Sequence, residues 1–393
     1  MIHKLTLQNF KGIESAELGL ERLTVIVGPN ASGKTSVLQA LDVLMGFSNP
    51  ETERGNLLLQ HGGAIALRRR VPSRETTSVR AVGNWRNQPG SLQFRFAPTA
   101  TAADSRLTHF LEVNGAWAGT EFEIPEAQHQ SWNKVLNPQI DLTKIPSIVR
   151  DWKARALLRL EARKLAEPSY TESVEPQVTS DGEGLASVLA QMALSRPDRF
   201  NELLVALRGV IPHVTRVRLS LAEVKRQETE TLRIDDEAVL RTVQRIYSGH
   251  RLLFDLTGAE GISSQGASEG TLLVLGLLTV LFSEPSPKLV LLDDLDRGLH
   301  PKAQKDLVMQ LRKLLERDPE LQIIATSHSP YLLDHLDPKE VRLSTVLPDG
   351  GIRFAELIQH PDFERWKEVM RPGEFWSTVG EEWVRDVPEK KQE

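Results

Sequence analysis

The sequence predicts an α/β fold built around a phosphate-binding loop, and three observations predict it. The stretch Gly28-Pro-Asn30-Ala31-Ser32-Gly33-Lys34-Thr35-Ser36 fits the pattern G-x-x-x-x-G-K-[ST]. It is preceded by Leu23-Thr-Val-Ile-Val27, a β-branched apolar run suited to a buried parallel strand, and followed by apolar residues at helical spacing over 36–45. Far downstream, Leu289-Val-Leu-Leu-Asp293-Asp294 is a second apolar strand, ending in carboxylates. Backbone N–H groups of the loop and the positive end of its helix can hold β- and γ-phosphates. Lys34 adds a point charge there, and the Thr35 hydroxyl can ligate Mg²⁺.

Bulk properties set outer bounds. A chain of 393 residues suffices for one large or two ordinary domains. Its 40% hydrophobic and 26% charged residues fit a soluble globular protein. A net charge of −5 gives no overall basic signature for nucleic acid. The absence of cysteine excludes disulfides, thiolate zinc sites and cysteine nucleophiles. The N-terminus lacks an unbroken apolar signal core, and the longest apolar stretch, 272–282, is too short to span a bilayer. The expectation is a cytoplasmic protein without a membrane partner.

Taken in order, residues 1–27 read as two strands, with a turn at Gly12. The helix after the loop ends near Gly46, before the stop signal Asn49-Pro50. Strand-like pieces at 78–85, 92–96 and 107–113, separated by Gly, Asn and Pro, suggest an antiparallel meander. Residues 145–166 begin helix-like and contain a strand candidate at 157–160. A polar loop covers 167–184, and 185–192 and 199–207 are amphipathic helices. Strands are expected at 214–221 and 231–234, and a helix at 237–247. An apolar helix at 271–282 is closed by Pro285 and Pro287. A helix at 301–317, a buried strand at 321–325 and a hairpin turn at Pro348-Asp-Gly-Gly351 complete the chain. There is no internal repeat and no heptad run long enough for a coiled coil.

The strand ending in Asp293 has the form of a Walker B segment. Asp293 is placed to hold Mg²⁺ through water, opposite Thr35, and Asp294 to orient or deprotonate the attacking water. The 259 residues between Lys34 and Asp293 imply a large insertion. Compact GTPases and simple kinases do not usually separate these motifs so widely.

Four further motifs carry a family resemblance. They are Asn9-Phe-Lys-Gly-Ile13 near the start, Gly266-Ala-Ser268-Glu-Gly270-Thr, Leu295-Asp296-Arg-Gly-Leu-His300-Pro, and Thr326-Ser-His328-Ser-Pro330. In this order they resemble the ABC-type ATPases of the SMC/RecF/OLD group, in particular the small stand-alone bacterial AAA-family ATPases without a Toprim domain. The likeness covers roughly 1–70 and 250–340. It implies a P-loop NTPase with an ABC-ATPase-like two-lobed fold: a mixed sheet, an antiparallel β meander and an inserted mixed helical arm. One split domain is then expected, with 1–143 as the N-terminal lobe, 144–251 as the insertion and 252–393 as the C-terminal lobe. The cofactors implied are ATP and Mg²⁺. Asn30, Ala31, Ser32, Gly33, Lys34, Thr35, Ser36, Ser268, Gly270 and Asp296 would contact nucleotide, Thr35 and Asp293 the metal, and Asp294 and His328 would be catalytic. Ser268 also suits an ordinary helix N-cap, and the two roles coexist. His300, before Pro301, suits a structural role. A Q-loop glutamine is not placed, with Gln60 and Gln93 as candidates.

Two departures from the group stand out. Asp294 occupies a position where glutamate is usual, and its shorter carboxylate suggests slower turnover. A compact mixed insertion at 144–250 replaces any long coiled coil. Arginines 68–70, 74, 80, 86 and 95, with Trp85, form a basic stretch suited to nucleic-acid phosphates or to an ordinary solvated face. The basic stretch 144–164 carries the same two readings.

The leading expectation is a nucleotide switch that forms an ATP-dependent homodimer and serves a separate nuclease-like effector, DNA, or both, in DNA repair or anti-phage defence. An OLD-like nuclease is the first alternative, although too few residues follow the Thr326–Pro330 segment for a Toprim domain. A transporter ATPase subunit is the second, disfavoured by the S-E-G form of the signature.

Overall fold

Strand β1 (Ile2–Phe10) turns back into β2 (Ile13–Gly19), and β3 (Leu23–Val27) then enters the phosphate loop. The first 27 residues therefore form three strands, not the two expected. Polar-alternating Ile13–Gly19 is an edge strand antiparallel to β1, and only β3 lies in the second sheet. A computed structural model describes residues 1–48, 57, 59–69, 76–85, 88–99, 108–117, 120–124, 155–234 and 237–387. The chain divides into two units, Met1–Leu157 with Pro287–Asp296 and Leu311–Glu393, and Leu158–Ser286 with Arg297–Gln310.

In the first unit, α1 (Lys34–Ser48) follows the loop. The meander is β4 (Thr77–Trp85), β5 (Gln88–Thr99), β6 (Thr108–Trp117) and β7 (Thr120–Ile124), antiparallel throughout, as the turn residues indicate. With β1 and β2 it makes a six-stranded sheet in the order β2-β1-β4-β5-β6-β7. Strand β8 (Arg155–Leu158) belongs to the other six-stranded sheet.

The second unit begins with a short helix, Ala162–Ala166, and a polar loop, and continues into α2 (Leu185–Ser195) and α3 (Pro197–Val210), close to the expected helices. Its main departure comes next. Strands β9 (Val214–Ile234) and β10 (Glu237–Leu256) form one long antiparallel ribbon, with β11 (Ala259–Ser263) paired to β10 at its base. The helix expected at 237–247 is therefore strand, and the two strands expected at 214–221 and 231–234 are one. Local spacing was overridden by pairing: β9 offers β10 a partner along its full length, and Val239, Thr242, Val243 and Ile246 are β-branched. Arg245 pairs with Glu228 at 3.3 Å and with Glu230, across the strands. Midway along the ribbon Tyr170 stacks on Tyr247 at 4.3 Å, and Arg226 donates to the Tyr170 carbonyl at 2.9 Å. At strand rise the 21 residues of β9 span about 65 Å. Helix α4 (Glu269–Phe282) is buried nearly all round, which explains its continuous apolar sequence.

The rest of the mixed sheet is β12 (Leu289–Leu292), β13 (Gln322–Thr326), β14 (Val341–Val346) and β15 (Ile352–Glu356), in the order β15-β14-β3-β13-β12-β8. Helix α5 (Pro301–Arg317) and the one-turn α6 (Pro330–Leu333) connect them, and α7 (Pro372–Val379) follows. Strands β12, β13, β3 and β14 are mutually parallel, and β15 closes the edge antiparallel. All five residues of β3 are buried, as its apolar run demands of a strand covered on both faces.

Helix α1 fills the space between the two sheets of the first unit. Val37, Leu38, Leu41 and Leu44 pack with Leu5, Leu7, Val79 and Phe94 on one side and Leu289, Leu291 and Ile324 on the other. Full burial of each such side chain stabilises by about 1.5–3 kcal/mol. One polar side chain ties the sheets together inside this core. Gln322 is 1% exposed; its Oε1 accepts from Ile2 N at 2.8 Å, and its Nε2 donates to the carbonyls of Ile2 at 2.8 Å and Glu21 at 3.0 Å. Gln322→Met keeps the volume but strands buried backbone groups. It is expected to cost about 2–4 kcal/mol, read as a lower urea midpoint with unchanged slope.

Candidate functional site

The loops that follow β3, β12 and β13 converge because these strands are parallel and in register. Leu292 pairs with Ala325 and Thr326 with Ile26, so the next residues along each strand meet at one edge. Crevices at the carboxyl ends of parallel strands are where such sheets bind ligands.

The phosphate loop is held from behind. Gly28, Ala31 and Gly33 have φ of 148°, 63° and 83°. A Cβ on Gly28 would lie 2.3 Å from the Ser344 carbonyl, and one on Gly33 2.9 Å from Ile352 Cδ1, so both glycines are sterically required. Ser32 is fully buried, its hydroxyl 2.6 Å from Ser344 Oγ and donating to the Pro29 carbonyl at 2.8 Å. Its side chain is thus committed to the scaffold. Asn30 and Ala31 are exposed, and Ser36 is half-buried on the first turn of α1.

Lys34 is buried, and its ammonium donates to the Gly28 carbonyl at 2.9 Å and the Pro29 carbonyl at 2.7 Å. Burial pushes its pKa down, while the carboxylates of Asp294, Asp293, Glu381 and Asp296 pull it back up. The Thr35 hydroxyl donates to Asp293 Oδ1 at 3.0 Å and lies 3.1 Å from Oδ2. Thr326 donates to Asp293 Oδ1 at 2.7 Å, and its hydroxyl accepts from Asp294 N at 2.9 Å. A threonine hydroxyl from each of two loops therefore converges on one carboxylate. These hard oxygens suit Mg²⁺, which in phosphate-binding sites takes one or two protein oxygens and completes its shell with phosphate and water. No group of three His, Cys, Asp or Glu side chains able to hold a metal occurs among the described residues.

Asp294 has φ of 58°, a left-handed conformation that Asp and Asn tolerate better than longer side chains. Burial, and then the neighbouring charge of Asp293, raise its pKa, while His328 and Lys34 oppose the rise. His328 Nε2 lies 3.8 Å from Asp294 Oδ1. Its backbone N–H donates to Asp296 Oδ1 at 3.1 Å, so Asp296 positions the His328 segment.

The signature residues form their own arrangement in the second unit. Ser268 is the N-cap of α4: its hydroxyl accepts from Thr271 N at 3.2 Å, so the cap is real. Glu269 pairs with Arg297 at 2.7 Å. A Cβ on Gly270 would lie 2.3 Å from the Gly298 carbonyl, which makes this glycine a packing necessity. His300 Nδ1 accepts from Lys302 N at 3.3 Å, the structural role its place before Pro301 suggests.

The expected Q-loop candidates lie elsewhere: Gln93 donates to Ser78 Oγ on the meander, and Gln60 is exposed. Of the basic stretch, Arg80 and Arg95 are exposed on β4 and β5, and Arg69 is ion-paired with Glu14. Residues 70, 74 and 86, and most of 144–164, lie outside the described residues. Thr326, Ser344 and Glu381 were not singled out from sequence. Thr326 follows from strand register, which sequence does not give, and the other two sit in no motif.

Residues 23–334 match the model of the family described as "AAA domain, putative AbiEii toxin, Type IV TA system". The chain belongs to this AAA-domain family. Among curated relatives of this family member, an OLD nuclease of Thermus scotoductus is 24% identical over 354 residues, 85% of this chain. The DNA replication and repair protein RecF of Yersinia enterocolitica is 34% identical over 112 residues, 28% of this chain. The matches span 60% and 30% of those proteins. An SMC head, solved bound to the C-winged helix domain of ScpA, superposes with a TM-score of 0.51 at 15% identity, covering 90% of this chain and 97% of that one. The fold is thus that of a P-loop ATPase of the SMC/RecF/OLD group. No described helix is long and apolar enough to cross a membrane.

The raised pKa of Asp294 has a stability consequence. In the folded chain its carboxyl holds its proton more tightly than in the unfolded chain, so stability falls as pH rises through the carboxylate range. Asp294→Asn, compatible with the left-handed backbone, removes that penalty. The nucleotide-free variant is expected to melt above wild type at pH 7, with the gap closing below the ordinary Asp pKa of about 3.9. Melting curves at both pH values check this.

Proposed function

We propose that the chain is an ATP-hydrolysing switch whose active site is completed by a second copy. The observation that carries this reading is the convergence of Thr35 and Thr326 on Asp293, with Lys34, Asp294 and His328 alongside. In this reading the loop N–H groups and Lys34 bind the β- and γ-phosphates, and Thr35 and Asp293 hold Mg²⁺, which supplies charge neutralisation when bound. Asp294 orients the attacking water or accepts its proton, and His328 hydrogen-bonds the γ-phosphate or that water. A pKa raised by burial suits Asp294 to taking a proton.

Ser268 and Gly270 of one copy face the γ-phosphate held by the other, so ATP joins the dimer and ADP releases it. The N-terminus of α4, with its Ser268 cap, is suited to anion contact. The effector is a separate nuclease-like protein or DNA, and the setting is DNA repair or anti-phage defence. The relatives named OLD nuclease and RecF support that setting.

Lys34→Ala is expected to lower ATP turnover by about 10²–10³-fold, the usual cost of removing one charge-stabilising donor. A phosphate-release assay near the wild-type rate would reject the assignment. Composite sites give a sharper test. Lys34→Ala and Ser268→Arg are each expected to be inactive, yet a mixed dimer contains one intact site. Mixing them should restore part of the activity. No recovery from folded, associating proteins would reject the two-copy site.

A further inference from the structure

The loop that carries His328 runs directly into the one-turn helix α6 and ends at Asp334, the last residue of the family match. Its upstream half is fixed from the sheet. Ser327 is fully buried; its N–H donates to the Ile26 carbonyl at 3.1 Å, and its hydroxyl accepts from Ser329 N at 3.1 Å. The His328 N–H is bound by Asp296. The downstream half is a single helical turn, too short to be stable through its own hydrogen bonds. Ser329, at its N-cap, makes no side-chain capping bond to it.

What holds this turn comes from 39 and 40 residues further along the chain, in a segment that no motif covers. Asp334 Oδ1 accepts from Gly373 N at 2.9 Å and from Glu374 N at 3.3 Å. These are free N–H groups of the first turn of α7, whose own N-cap residue, Arg371, makes no side-chain bond to them. Asp334 thus caps α7 from outside, and a carboxylate is favoured at a helix N-terminus. The contact runs both ways. A Cβ on Gly373 would lie 1.8 Å from the Pro330 carbonyl oxygen, so the backbone of α7 rests on the second residue after His328. That same carbonyl accepts from Asp334 N at 3.2 Å, which closes the turn. Helix α7 is itself fixed: Phe375 is 3% exposed, stacks on Trp366 at 3.9 Å and meets His360 edge-on at 4.7 Å.

We propose that Asp334 is a positioning residue of the hydrolytic site: by clasping the start of α7 it holds Pro330 in place and so fixes where His328 stands relative to Asp294. The inference rests on the role given to His328 above. The His328 ring is exposed, so surrounding side chains do not set its position, and the backbone on either side must do so. Asp296 and Ser327 hold that backbone upstream, and the Asp334–α7 clasp holds it downstream. A displacement of about 1 Å at the chemistry can cost about 10²-fold in rate. The clasp is made with Gly373 and Glu374 and not with the phosphate loop, so its loss should appear in turnover and not in nucleotide binding.

A double-mutant cycle on the full chain tests this. Asp334→Ala removes both bonds. Its kcat for ATP, read by release of radiolabelled phosphate, is expected to fall about tenfold, while ATP affinity, read by displacement of a fluorescent nucleotide, stays within about twofold of wild type. Asp334→Asn keeps an oxygen acceptor for both N–H groups and should hold kcat within about threefold of wild type. Gly373→Ala pushes α7 off Pro330 while leaving Asp334 in place; it should lower kcat in the same way, and it replaces Asp334→Ala if that variant melts too low to assay. In a His328→Ala background, adding Asp334→Ala should cost less than about twofold, because the group it positions is already gone. A residue that only stabilised the fold would cost the same in both backgrounds. An equal loss in both backgrounds, a fall in ATP affinity matching the fall in kcat, or an unchanged kcat in Asp334→Ala and Gly373→Ala overturns the proposal and leaves the ATPase reading intact. Hydrolysis by His328→Ala at the wild-type rate would instead overturn the role of His328 on which the proposal rests.

Discussion

Asp293 is the point on which the site depends. Its carboxylate accepts the Thr35 hydroxyl from the phosphate loop and the Thr326 hydroxyl from the end of β13. Thr326 in turn receives the backbone N–H of Asp294, and the Thr326 carbonyl accepts from Leu295 N at 2.9 Å. Three loops that are distant in sequence are thereby locked into one geometry. A carboxylate only accepts hydrogen bonds, so it draws donors from both sides. The same oxygens are of the hard type that suits Mg²⁺.

Backbone conformation then restricts which residues can occupy the site. Gly28 and Gly33 allow the loop to lie against Ser344 and Ile352, with no room for any side chain. Asp294 takes a left-handed conformation, which Asp and Asn tolerate better than most side chains. That conformation belongs to the turn after which Asp296 Oδ1 accepts from His328 N. In the second unit a similar constraint joins Gly270 to Gly298, and the Glu269–Arg297 pair closes over them. The signature segment and the segment after Asp296 move as one piece if they move at all.

The ribbon β9–β10 shows a different balance. A two-stranded ribbon has little core, and cross-strand pairs such as Arg245 with Glu228 and Glu230 add to its backbone pairing. Near its middle it is held by Tyr170 on Tyr247 and by the isolated bridge between Ser169 and His250.

What the sequence determined by itself is the local frame of the candidate site. The glycine loop between an apolar strand and a helix, the carboxylates ending β12, and the turn residues of the meander act through local geometry, and local geometry is written in neighbouring residues. Strand β3 and helix α4 were also legible, since continuous apolar sequence signals burial on all sides. Only the tertiary structure decided the rest. Residues 237–247 have spacing compatible with a helix, and pairing with β9 made them a strand. The Thr326 contact to Asp293 depends on the register of parallel strands, a long-range quantity without a local signal. Ser32 and Ser344 meet across 312 residues, and the segment after β15 is tied down by Asp334 and Arg353 from far upstream of it. Long-range contacts of this kind are chosen by the packing of the whole chain, so no stretch of sequence carries them alone.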